Sequence, residues 1–244
     1  MAILDSILGG NTLYYPGCLI KAALPEVNDA YRMLLRKSGI DFIELSEKEV
    51  CCGSPVINTG FTKEAKKLAE NNLLIFESHS IKRIVTPCPA CAYTFKEEYK
   101  KQLGNRWKIK IEHTTETLLT AAQKGKLKLK KIYKIATYHD PCYLSRYQLS
   151  VTVPRELLKL ITHKYVDMQN FGKDTFCCGG GGGVRATNPK QAELIGKARI
   201  LMALETGAEV ILNTCPMCYV QLKKHAEGKI QVTDLSQSLL EALS

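Results

Sequence analysis

The chain has 244 residues, 45% of them hydrophobic, with ten cysteines and a formal net charge of +10. That is enough apolar material for a sizeable core, whereas disulfide frameworks belong to small secreted chains that lack one. No run approaches the roughly 18 uninterrupted apolar residues of a membrane span, and Met1-Ala-Ile-Leu-Asp-Ser-Ile-Leu-Gly-Gly10 lacks the basic flank and long apolar run of a secretory signal, so a reduced, cytoplasmic protein is expected.

In chain order, Thr12-Leu-Tyr-Tyr15 reads as a short strand that delivers Cys18 from a Pro-Gly turn. From Pro25, the residues Val27, Ala30, Met33, Leu34 and Leu35 recur at helical spacing until Gly39, a C′ glycine. Residues 40–45 alternate as a strand, and Cys51-Cys52 follow in the next loop. A helix is predicted over 62–78 on Ala65, Leu68, Ala69, Leu73 and Phe76. A strand at 81–86 leads through Pro87-Cys88-Pro89 into another helix near Ala90. A strand at 107–111, with Trp107 in the core, and a helix at 115–123 complete this half.

The second half gives the same succession. Strand 133–138 ends in the turn His139-Asp-Pro-Cys142, followed by helix 154–162 and strand 164–168. A glycine-rich loop leads into helix 189–206, then strand 209–213, helix 216–225, strand 229–232 and a closing helix over 235–243. Alternating strands and helices imply parallel sheets with crossover helices. The cysteine-bearing turns then fall at the carboxyl ends of strands, where open α/β sheets place their ligands.

The cysteines form two pentads that use all ten. Cys18 is followed after 32 residues by Cys51-Cys52-Gly53 and after 35 more by Cys88-Pro-Ala-Cys91. Cys142 is followed after 34 residues by Cys177-Cys178, and 36 residues separate Cys178 from Cys215-Pro-Met-Cys218. Corresponding cysteines are offset by 124, 126 and 127 residues, so an internal duplication is the simplest account. The fold expected is α/β: two pseudo-symmetric Rossmann-like lobes with parallel sheets, over residues 1–125 and 126–244.

Thiolates in this number point to metal. Zinc takes four ligands in tetrahedral array and leaves one cysteine of each pentad over. Adjacent cysteines suit a multinuclear cluster, in which each sulfur meets a different iron, and soft thiolates select iron–sulfur clusters or zinc. The Cys-x2-Cys-x2-Cys-x3-Cys run of a ferredoxin module is absent, so electrons are expected from a partner. The basic balance shrinks on this reading: ten thiolates offset ten positive charges and two iron–sulfur cores of about 2+ each restore four, leaving about +4. The lysine-rich stretch Lys124–Lys131 falls where a linker is expected and reads as a solvated edge strand, not as a nucleic-acid site.

The doubled pattern Cys-x(30s)-Cys-Cys-Gly-x(30s)-Cys-x-x-Cys resembles the cysteine-rich CCG domain of the B-type and D-type components of heterodisulfide reductase, over nearly the whole chain. The resemblance implies one non-cubane [4Fe-4S] cluster on Cys18, Cys51, Cys52, Cys88 and Cys91 and another on Cys142, Cys177, Cys178, Cys215 and Cys218. A small-molecule disulfide or related substrate is then cleaved between them, in a complex with ferredoxin-like or flavoprotein subunits that touch any membrane on this chain's behalf. It also implies alternatives: in parts of the superfamily one motif carries zinc, and CCG domains occur in subunits that pass electrons from flavin-dependent hydroxy-acid or glycerol-3-phosphate dehydrogenases toward quinone.

Several neighbours of the cysteines are candidate functional groups. Gly53, Gly179, Gly180 and Gly181 bring backbone close to a cofactor and turn amide N–H groups to anionic sulfur. The Gly179–Gly183 run is expected to open the second centre to substrate. His139 is a candidate proton donor to a departing thiolate, Arg185, with Arg146, a candidate receptor for an anionic substrate tail, and Tyr143 and Tyr219 candidate packing groups.

Overall fold

The computed structural model describes residues 10–244; residues 1–9, on which the expectation about a secretory signal rests, lie outside them. Strand β1 (Asn11–Tyr14) leads into helix α1 (Cys18–Ala23) and α2 (Pro25–Lys37). Helices α3 (Ser54–Asn58) and α4 (Thr62–Ser78) precede β2 (Ile81–Thr86). Next come α5 (Pro89–Tyr93), a π turn at Thr94–Glu98, α6 (Tyr99–Leu103), β3 (Lys110–His113) and α7 (Thr114–Gln123). The second half runs β4 (Tyr133–Tyr138), a π turn at Tyr143–Tyr147, α8 (Thr152–Ile161) and β5 (Thr162–Tyr165). It closes with α9 (Val184–Thr187), α10 (Pro189–Leu204), β6 (Val210–Asn213), α11 (Pro216–Ala226), β7 (Gln231–Asp234) and α12 (Leu235–Glu241).

Two parallel sheets result, ordered β1-β2-β3 and β5-β4-β6-β7. The expected strand at 40–45 shrinks to one parallel bridge, Ile43 to Leu13, on the free edge of β1. With Ile43 in the place of β5, the two sheets have the same order, as a duplication requires. Other differences are of register. The strand expected at 107–111 forms at Lys110–His113, because Trp107 turns inward against Phe76, Phe95 and Tyr99. Those expected at 164–168 and 229–232 form at Thr162–Tyr165 and Gln231–Asp234. On α2, Met33 is exposed and Tyr31 takes the buried position.

One core cluster is shared by the two repeats, and a second, around Phe76, Phe95 and Trp107, belongs to the first repeat alone. The closing helix α12 packs on α2 of the first repeat, and α7, which closes the first repeat, packs on α8 of the second. Tyr31, Leu34, Leu35 and Leu118 thereby join Leu157, Leu158, Leu235 and Leu239 in one buried cluster. Each repeat's last helix thus covers the other repeat's first long one. The lysine-rich linker is no regular edge strand: Leu127 is buried and Leu129 pairs once with Leu243, while the lysines face solvent.

Truncating Leu239, fully buried in that shared cluster, should cost about 2–5 kcal/mol. Denaturant unfolding of Leu239→Ala should remain a single transition at a lower midpoint; two separated transitions would mean that the lobes fold independently. A second expectation concerns acid. Burial works to raise the pKa of Glu112, but Arg83 at 2.5 Å across β2–β3 and Lys110 at 2.7 Å hold it down to about 2, below the ordinary 4.5. Stability from this depressed carboxyl is fully present above pH 4.5 and is lost as pH falls toward 2. Glu112→Gln should lose about 1.5–3 kcal/mol at neutral pH and flatten the stability profile below pH 4.5 relative to the parent.

Candidate metal centres

All ten cysteines are free thiols, and the fold gathers them five by five. The Cys-Pro-x-Cys segments are built alike. Cys88 and Cys215 are the N-cap residues of α5 and α11, each followed by proline in the first turn. Their own N–H groups donate to the side chain two residues back, Thr86 Oγ1 at 3.3 Å and Asn213 Oδ1 at 3.3 Å. Cys91 and Cys218 follow three residues on, so both sulfurs of each pair sit at a helix start, where the backbone favours negative charge. Cys18 opens α1 after Gly17, whose left-handed φ of 82° and missing Cβ let the chain pass the Cys91 sulfur; a Cβ there would lie 3.3 Å from it.

The thiols of the first centre lie close enough to perturb one another in the series Cys18–Cys51–Cys52–Cys91–Cys88. The second centre repeats it as Cys142–Cys177–Cys178–Cys218–Cys215, with 3.3 Å between the Cys178 and Cys218 sulfurs. In each, the first cysteine of the adjacent pair is the acceptor. Hydrogen bonds from Cys18 and Cys52 pull the Cys51 thiol down to about 2, and those from Cys142 and Cys178 do the same for Cys177. Backbone helps too: Gly53 N–H donates to the Cys51 sulfur, Gly179 N–H to Cys177 and Gly180 N–H to Cys178, each at 3.4 Å. Five convergent soft donors ringed by amide N–H groups exceed what one tetrahedral ion uses and fit an iron–sulfur cluster.

The glycine run divides in two. A Cβ on Gly179 would lie 2.8 Å from the Ala192 carbonyl of α10, and one on Gly180 would lie 3.0 Å from Met217 Cγ and 3.1 Å from Gln221 Cβ of α11. These two glycines therefore pack between helices while presenting N–H to sulfur. Gly181, Gly182 and Gly183 face open space. The cavity of about 380 Å³ among the described residues lies elsewhere, between Leu24–Val27 and Tyr219–Lys224.

His139 is buried, and a ring nitrogen lies within 4.8 Å of the Cys178 and Cys218 sulfurs. Arg199 Nε–H donates to its Nδ1 at 3.1 Å, which leaves the neutral ring's proton on Nε2. Burial and the Arg199 charge push its pKa down to about 3, so the ring is uncharged at neutral pH. Arg146 is occupied structurally, donating to the carbonyls of Lys173, at 3.1 Å, and Thr175. Arg185 stands exposed on α9, beyond the glycines. Tyr219 is buried beside Cys218, whereas Tyr143 stacks with Tyr147 and Tyr93 across the junction of the repeats.

Three residues unassigned from sequence hold the second centre in shape. Buried Asp140 takes a two-pronged ion pair from Arg155, at 2.7 and 2.8 Å, and accepts the Gly172 N–H at 2.9 Å. Arg199 donates to the carbonyls of Gln169 and Asn170 at 2.8 and 3.2 Å. Together they pin the loop that delivers Cys177 and Cys178. One signal for Arg199 was available: it falls on the same stripe of α10 as Ala192, Gly196, Ile200 and Ala203, where an ordinary surface arginine has no place.

This architecture, a duplicated α/β fold with a five-thiol centre at the carboxyl edge of each sheet, defines a class of metal-binding redox protein. The sequence profile of the cysteine-rich domain matches residues 12–96 and 136–223, and the chain belongs to that CCG family. It is 34% identical, over 95% of its length, to 58% of the D-type component of dihydromethanophenazine:CoB–CoM heterodisulfide reductase from Methanosarcina barkeri. It is 35% identical, over 86% of its length, to 40% of an uncharacterized iron–sulfur protein of Methanococcus maripaludis. It is 30% identical, over 95% of its length, to 34% of an EtfAB:quinone oxidoreductase of Syntrophomonas wolfei. The chain thus spans well under two thirds of each of these relatives.

The packing contrast within the glycine run is testable. Gly180→Ala forces α11 away and should cost about 1–3 kcal/mol and deplete bound metal, whereas Gly181→Ala, with open space around it, should stay within about 0.5 kcal/mol and keep its metal. Equal behaviour of the two in denaturant melts and metal analysis would contradict the division.

Proposed function

We propose that this chain is an iron–sulfur oxidoreductase subunit of heterodisulfide-reductase type, with a non-cubane [4Fe-4S] cluster in each five-cysteine centre and a small-molecule disulfide or related compound as substrate. The observation that carries the reading is the convergence of two complete, equivalent sets of five thiols; a structural zinc protein needs only four per site. When bound, such clusters supply one-electron transfer and iron sites with affinity for sulfur.

The chain's own residues prepare the place. The cysteines and the Gly53, Gly179 and Gly180 amides balance the charge of the group held, and Gly181–Gly183 leave the second centre accessible. His139, uncharged and with a ring nitrogen within 4.8 Å of the Cys178 and Cys218 sulfurs, sets a neutral ring beside the second centre instead of an imidazolium proton source. Arg185, exposed beyond the glycines, receives an anionic substrate tail. Ferredoxin-like or flavoprotein partners supply the electrons; no helix among the described residues is long and apolar enough to cross a membrane.

A second reading, an electron-transfer subunit linking a flavoprotein dehydrogenase to quinone, is favoured by the likeness to the EtfAB:quinone oxidoreductase. Anaerobic purification with iron, acid-labile sulfide and zinc analysis is the test. About eight irons per chain with negligible zinc are expected, and disulfide should reoxidise the chemically reduced protein. Cys178→Ser should lose about four irons and that reoxidation. Retained turnover in Cys178→Ser sinks the disulfide reading, eight irons without disulfide-dependent reoxidation leaves the relay, and zinc alone ends both.

A further inference from the structure

The two centres share a cysteine frame and differ in the charge beside it. Arg199 is wholly buried. Its Nε–H and Nη1 are satisfied by His139, Gln169 and Asn170, while Nη2 has no hydrogen-bond partner. Among the described residues, no carboxylate pairs with it within 4.0 Å. A buried, unpaired guanidinium is costly unless an anion stands nearby. The groups that favour its charged form include Asp140, whose carboxylate is already committed to Arg155, and the sulfurs of Cys218 and Cys178. Burial lowers its pKa only to about 10, so the cation persists at neutral pH.

Among the described residues, the first centre has no wholly buried cation of this kind. The cysteine offsets of 124 and 127 residues carry His139 and Arg199 onto Tyr15 and Asn72. Tyr15 donates its hydroxyl to the Val50 carbonyl at 2.8 Å. Asn72 Nδ2 donates to the Cys51 carbonyl at 3.0 Å and to Tyr99 Oη at 2.8 Å. The lysine nearby, Lys21, is part-exposed and faces the buried Glu49 carboxyl at 3.7 Å, so it is neither wholly buried nor without a carboxylate as Arg199 is. The two halves therefore keep the same ligands, with a neutral buried pair on one side where the other has a charged one.

We infer that Arg199, with His139 as its link to the sulfurs, holds the second centre at a higher midpoint potential than the first, so that an electron arriving at the first passes to the second, beside the open glycines. The inference rests on the reading that both centres hold iron–sulfur clusters. In the transfer the first centre is oxidised by one electron and the second reduced by one; no bond changes. The physical cause is plain Coulomb attraction. Reduction adds negative charge, and a buried cation stabilises the reduced form more than a neutral amide does.

The test is a redox titration of the anaerobic holoprotein followed by electron paramagnetic resonance, with iron and zinc measured on each sample. The parent should show two couples, and Cys142→Ser should alter the spectrum of the upper one. Arg199→Gln should lower the upper couple's reduced-to-oxidised ratio at a fixed poise at least tenfold, about 59 mV for a one-electron couple. The lower couple should hold its place, and Arg199→Lys should restore most of the loss. Two couples of equal potential in the parent, an upper couple unaffected by Cys142→Ser, or an unmoved upper couple in Arg199→Gln overturns the inference while leaving the two-cluster reading intact. Zinc at the second centre overturns both. Should Arg199→Gln fail to fold, Arg199→Met takes its place and must lower the upper couple in the same way, an unmoved couple overturning the inference, while the parent and Cys142→Ser titrations test the order of the two couples.

Discussion

Parallel pairing of the strands is the constraint on which the rest depends. Because β1 and β2, like β4 and β6, run in the same direction, the turns that follow them emerge on one edge. Cysteines 70 or more residues apart in the chain, such as Cys18 and Cys88, meet there without any local sequence bringing them together. Proline at the first turn of α5 and α11 starts each helix at the sulfur, so the helix N-terminal ends present partial positive charge to the thiols. The adjacent pair of each centre arrives on a loop and is fixed by glycine N–H groups, which need no side-chain space.

The shared core keeps the two edges in register with one another. Each repeat's first long helix is covered chiefly by the other repeat's last helix; α12 packs on α2 and α7 on α8. An exchange of this kind makes the relation between the centres a property of core packing, which is dense and slow to deform, instead of a hinge between free-standing lobes. The tyrosines Tyr93, Tyr143 and Tyr147 stack across the same junction and add a second, partly exposed tie.

Symmetry is broken where buried polar groups differ. On the first side, Asn72 and Tyr15 close their hydrogen bonds against backbone and the Tyr99 hydroxyl. On the second, Arg155, Asp140 and Arg199 clamp the loop before Cys177 with charged groups in a poorly solvated interior. Buried charge is expensive, and the wholly buried Arg199, where the first side has Asn72, is the asymmetry from which the difference between the centres is inferred.

The sequence by itself determined the duplication, the α/β class, the succession of nearly all strands and helices, and the two sets of five thiols, because each is written in residue identity at fixed spacing. Cysteine, glycine and proline carry meaning that no neighbour can override. Tertiary structure alone decided the rest. The strand at 40–45 is reduced to the Ile43 bridge on the edge where the second sheet has β5, and Met33 yielded its buried place to Tyr31 because α12 lies across that face. Gly179 and Gly180 proved to be packing glycines, Arg146 a loop tie, and His139 an uncharged hydrogen-bond partner of Arg199. Those roles come from contacts between residues 13 to 60 positions apart in the chain, such as Gly179 with Ala192 and His139 with Arg199. Periodicity is blind to such pairs, since it reports which face of an element is buried and not what it is buried against.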